Sequence, residues 1–298
     1  MVRIYVLLLG LFCLVSLGSF AEPLMLRVPK PQLDSEVAKN YYLQLLRFAL
    51  VAGGAGKQLP EIRETTPMEQ DRATLELRRH KLVDVYWMGI NIARERNLKI
   101  IPIPLDRGLL GFRELIIRKD KLSVFNKIET AEDLKKLVAC QGLGWPDVEI
   151  LRASDFSVKE SSGFEGLYRQ LVAGRCDYFP RGLFEAFPEM EQRRARYPSL
   201  QIYERVLIHY PFAVYFFVGP DNEDLAKWIT SGLENMIDTG EFQQFMQSHS
   251  LMRHVFPLQE KVRPALIFDI PNPFLPETID VNNSRYWIQR EEILELED

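Results

Sequence analysis

The sequence predicts an α/β protein built as two domains, or as one domain with two lobes. Helical and strand-like segments alternate along the chain, which is the pattern of an α/β fold. The chain has 298 residues, enough for about two domains. It is 47% hydrophobic and 26% charged, a globular composition that excludes collagen-like, disulfide-scaffold and wholly disordered classes.

The elements follow in order. Residues 4–17 form an apolar run behind Met1-Val2-Arg3, too short to span a bilayer and suited to the core of an export signal. Small residues at Ser19 and Ala21 predict cleavage after Ala21, so residues 1–21 are read as a signal peptide and the mature chain as soluble and exported. Cys13 follows Phe12 rather than a small residue, which argues against lipidation. Residues 24–28 alternate as a first strand. Asp34 or Ser35 can cap a helix over 36–52, ended by Gly53-Gly54. Thr66-Pro67-Met68-Glu69 has the signature of a helix start, and 82–87 of a strand. Residues 100–105 carry two prolines and read as a connector or edge strand. Strands are expected at 115–117, 137–140, 176–179 and 212–218. Helices are expected from Thr130, over 163–173, and from Asp221 to a stop at Gly240, with one more carrying Phe242, Phe245 and Met246. From Phe256 onward, prolines and aromatics predict an extended tail wrapped on the body.

Three stretches, LRRHKLVD (77–84) followed by NIARER (91–96), LVACQGLGW (137–145) with GLYRQLVAGRCDYF (166–179), and the run from Pro211 to Met246, together resemble the bacterial extracellular solute-binding proteins of the amino-acid type. The resemblance spans residues 24–248. It implies a two-lobed type II periplasmic binding protein, with crossovers near 108–112 and 209–212 and a ligand cleft on which the lobes close. Lobe 1 would hold 22–110 and 211–298, tail included, and lobe 2 would hold 111–210.

The resemblance also implies site residues. Arg96 matches the arginine that grips a ligand carboxylate, a task suited to a planar guanidinium, although Ala93 stands where a hydroxyl is usual. After the strand 177–179 the family places an acid for the ligand ammonium; here Arg181 and Gly182 occupy that stretch. The swap suggests a polar or anionic solute held between Arg96 and Arg181. Trp87, Trp145 and Tyr178 follow strands where open sheets place ligands, and their faces can stack on a flat solute or simply pack. Gln141 can offer an amide, and Tyr210 sits at the expected hinge. Cys140 and Cys176 lie on strands that the resemblance makes neighbours; they are read either as a disulfide or as two buried thiols.

The net charge of −4 and a sequence pI near 5.8 argue against nucleic-acid binding. Three Cys and four His leave little for a metal site. There is no G-x-S-x-G elbow, no H-E-x-x-H and no phosphate-binding glycine loop. The expectation is a monomer without cofactor or enzymatic activity that captures a small solute for an ABC transporter. The alternatives are a sensing module that reports to a membrane signalling protein and a periplasmic enzyme on the same fold.

Overall fold

A computed structural model describes residues 24–30, 36–262, 266–289 and 292–293. The expected signal peptide and the expected Asp34 or Ser35 cap lie outside the described residues.

Among the described residues the strands form three sheets, and the two smaller ones, tied together at Asp84, make one first unit beside the six-stranded second. In the first, β1 (Met25–Pro29) pairs in parallel with β2 (Glu61–Thr65), while β10 (Val214–Val218) lies antiparallel between β3 (Val85–Gly89) and β4 (Lys99–Ile100). Asp84 joins the two halves: its N–H donates to the Arg27 carbonyl, and its carboxylate accepts from the Arg27 backbone N–H and guanidinium. Helices α1 (Glu36–Ala52) and α9 (Glu223–Asp238) pack together, tied by a hydrogen bond from Trp228 Nε1 to the Leu50 carbonyl. Helix α2 (Gln70–Arg79) begins four residues after Thr66, contrary to the expected start. Strand β2 runs through Thr65, so Thr66 to Glu69 serves as its connection to α2, with Met68 buried.

The second sheet has the strand order β11-β9-β5-β8-β6-β7. Strand β5 (Phe112–Arg118) is antiparallel to both β8 (Tyr178–Gly182) and β9 (Leu200–His209). Strand β6 (Val138–Gly142) is parallel to β7 (Ser157–Ser161) and to β8. The sequence pattern misses β2, β7 and β9, together with α6 (Pro146–Ala153) and α8 (Ala186–Arg193). The short helices α3 (Ile92–Asn97), α4 (Leu122–Phe125) and α5 (Ala131–Lys135) connect strands, and Thr130 caps α5 in a reciprocal box with Asp133. Helix α7 (Phe164–Val172) covers β6 to β8 on the face where Cys140 and Cys176 form a disulfide, their Cα atoms 5.6 Å apart.

The chain passes from the first sheet to the second at 108–112 and returns at 209–212. The two crossings touch through the Tyr210 N–H and the Gly111 carbonyl. Helix α10 (Glu241–Ser248) closes the first lobe, and the chain then continues through α11 (Leu258–Val262) and β11 (Leu266–Asp269), which adds in parallel to β9.

Candidate functional site

The ends of β3, β6 and β8, the start of β5 and the first turns of α2, α6 and α7 surround a cavity of about 260 Å³ between the two sheets. Its walls are aromatic. From the first sheet comes Trp87, stacked on Tyr42 at 5.5 Å between ring centroids. From the second comes Trp145, which packs with Phe164 at 6.3 Å. Gly142 fits beneath Trp145 because a Cβ there would collide with the indole. Phe212, at the return crossing, lines the cavity as well.

The floor is a buried network of charges. Arg113 on β5 pairs with Asp147 at 2.5 Å and with Glu185 at 3.7 Å, and its Nε donates to the Tyr210 hydroxyl. The Tyr210 hydroxyl in turn donates to Asp147. Arg181 on β8 pairs with Glu185 at 2.9 Å and Glu189 at 2.7 Å, and lies 5.2 Å from the Trp145 ring centroid. Burial opposes charge on both guanidiniums, but the adjacent carboxylates outweigh it and raise both pKa values. Glu185 is shifted upward, first by burial and then by Glu189, against the pull of Arg181. Part of the network is local: Glu185 at the N-cap of α8 and Glu189 in its first turn lie one helical turn apart, just after Arg181 on β8.

The structure does not set Arg96 and Arg181 against each other across the cavity. Arg181 lines the cavity, but with its guanidinium already held by two glutamates. Arg96 is exposed on α3, away from the cavity. Two residues along a helix turn a side chain by about 200°, so Arg94 takes the inward face instead. Arg94 is buried, donates to the Gly89 carbonyl and to Gln70, and has its pKa lowered to about 10 by burial. Trp87 and Trp145 both line the cavity, one on each side. Tyr210 does not line it but holds two residues that do. Tyr178 is buried against Phe125 and Gln141 is buried within β6; neither reaches the cavity, and among the described residues their side-chain polar atoms have no hydrogen-bond partner.

Arg113, Asp147 and Glu185 escaped the sequence reading. The signal for Arg113 was an Arg-Glu pair inside the otherwise apolar run 109–117. Glu69 and Asp71 at the mouth escaped it too. Both are exposed, neither has an ion-pair partner among the described residues, and Asp71 stands against Gly144 of the opposite side. Among the described residues no cluster could hold a metal, and no helix is long and apolar enough to cross a membrane.

No family model matches the chain, and no curated protein matches it. Solved structures do. An ancestral arginine-binding protein bound to arginine superposes with a TM-score of 0.57 at 18% identity, over 76% of this chain and 98% of its own. A Salmonella typhimurium periplasmic binding protein of high arginine specificity gives 0.56 at 15%, over 76% and 99%. A histidine kinase sensor domain similar to periplasmic binding proteins gives 0.54 at 17%, over 76% and 96%. The chain has the two-lobed periplasmic-binding-protein fold. The aromatic cavity lies between the sheets that the crossings at 108–112 and 209–212 connect.

Proposed function

We propose that this protein is a periplasmic solute-binding protein that captures a compact solute in the cleft and presents it to a membrane transporter. We draw its lobes at 22–110 with 211–298 and at 111–210, although the tail strand β11 pairs with the sheet of the second lobe. The observation that carries the reading is the cavity itself: Trp87 and Trp145 face each other's lobes across a space of about 260 Å³. Such a slot holds the flat or apolar body of a small molecule.

Of the polar or anionic solute expected from sequence, the same geometry favours the neutral class, or a cation, over an anion. An anion would have to compete with Asp147, Glu185 and Glu189 for guanidiniums they already neutralise. A cation would meet Glu69 and Asp71 at the mouth. Nothing in the charge network is arranged as a nucleophile with a base, which supports a binding role over an enzymatic one.

A thermal-shift panel tests this. Aromatic and aliphatic amines, neutral sugars and dicarboxylates are offered to the purified mature chain; a bound solute raises the melting temperature by linkage. Amines or neutral flat solutes should stabilise, and Trp87→Ala and Trp145→Ala should each abolish the shift. Stabilisation by dicarboxylates alone would overturn the solute class. A sensing role is the second reading, favoured by the likeness to a kinase sensor domain. Capture of a transporter or of a signalling protein from solubilised membranes separates the two.

A further inference from the structure

The neighbours are matched over nearly their whole length by 76% of this chain, so about a quarter of it lies outside the match; helix α10 ends at Ser248. Much of the tail beyond that helix crosses the hinge. It first leaves the first lobe for the second. His254 packs on Phe187 of α8, and Lys261 bridges Glu114 of β5 and Glu204 of β9. Strand β11 then runs beside β9 from Val206 to His209.

At the hinge the tail becomes a third strand. The Ile270 N–H donates to the His209 carbonyl, and the Asn272 amide donates to the Pro211 carbonyl. Asp269 accepts from or pairs with His209, whose ring stacks on Phe112 of the outgoing crossing at 4.1 Å. Three segments, 111–112, 209–211 and 269–272, thus lie side by side where the fold needs only two.

The tail then returns to the first lobe. The Ile92 N–H donates to the Phe274 carbonyl, and Arg285 pairs with Glu234 and Asp238 of α9. Trp287 is buried against Gly108 at the first crossing. Gly108 has φ +84°, and a Cβ there would collide with the indole, so glycine permits both the turn and the contact. The Ile288 N–H donates to the Arg107 carbonyl and closes the circuit.

We propose that this C-terminal segment is a strap that restrains the hinge: the lobes separate only when the strap lets go of one of them, so the strap sets how readily the cleft opens. The physical reason is that a two-stranded hinge bends by changing a few backbone dihedrals, whereas a strap anchored on both lobes must lose hydrogen bonds and the buried Trp287. The strap regulates the cleft of the proposed function, but its test uses no solute and stands apart from that reading.

Hydrogen exchange on the full chain comes first. The Ile270 and Ile288 amides should exchange within about tenfold of the hinge amide of Tyr210; exchange roughly a hundredfold faster, as in a frayed terminus, would overturn the proposal. Distances between spin labels at Arg47 on α1 and Glu149 on α6 come second. The parent should give one narrow distribution, and Arg285→Ala/Trp287→Ala should add a second, longer population. A broad distribution already present in the parent, or an unchanged one in a folded variant, would defeat the idea. If the double variant does not fold, Arg285→Ala alone and the exchange data decide it.

Discussion

Replacing Arg181 with methionine separates a structural guanidinium from a ligand-gripping one. In the structure Arg181 is buried and neutralises Glu185 and Glu189, while its planar group packs near Trp145, Phe164 and Phe179. Methionine keeps much of the apolar contact but leaves two carboxylates a few ångströms apart without their shared partner. Breaking a buried pair from one side costs about 3–5 kcal/mol. For a chain of this size that corresponds to a fall of roughly 6–20 °C in melting temperature. The deficit should narrow at lower pH, because Glu185 already has an upward-shifted pKa and protonates readily once the arginine is gone. Adding Glu189→Gln should restore part of the loss, since it removes one of the two stranded charges; the cycle measures their coupling. The assay is thermal unfolding followed by circular dichroism at pH 5 and pH 8. A variant melting within about 2 °C of the parent at pH 8 would refute the argument, because then the guanidinium would not be committed to the network.

Three further outcomes are expected. Denatured, unreduced protein should contain no free thiol from Cys140 or Cys176, and replacing both with serine should cost about 3–4 kcal/mol for the loop closed by their separation of 36 residues; two titratable thiols would contradict this. Asp106 is carried up to about 7 by burial, against hydrogen bonds from Val214 and Gly108. The folded state therefore holds that proton more tightly than the unfolded chain, and its contribution to stability falls as pH rises from about 4 to 7, by up to about 4 kcal/mol. Denaturant midpoints of Asp106→Asn should shift in the variant's favour over that window, and a gap independent of pH would exclude the effect. Exported protein should begin at Glu22, as read by N-terminal sequencing; a chain starting at Met1 would end the reading of a cleaved leader.

The α/β alternation, the helix over 163–173 and the helix start at Thr130 are local, so a linear pattern of apolar spacing and capping residues was enough to reveal them. The likeness to a two-lobed binding protein was legible for a related reason: the order of such local pieces is itself a linear property. Trp87 lines the cavity from the middle of β3 and Trp145 from the turn after β6, so only the second stands past a strand end. The polar edge strands β2 and β7 were invisible, since EIRET and SVKES bury little on either face and owe their form to the neighbouring backbone. Which arginine of α3 turns inward depended on the helix phase, and that was set by packing rather than composition. Arg113 meets Tyr210 across 97 positions and Tyr210 meets Asp147 across 63, so no local window contains the network. The sequence alone determined the α/β class and the order of those elements whose signals are local. Tertiary structure decided which charges cancel and where the tail lies, because burial and ion pairing act between residues that only folding brings together.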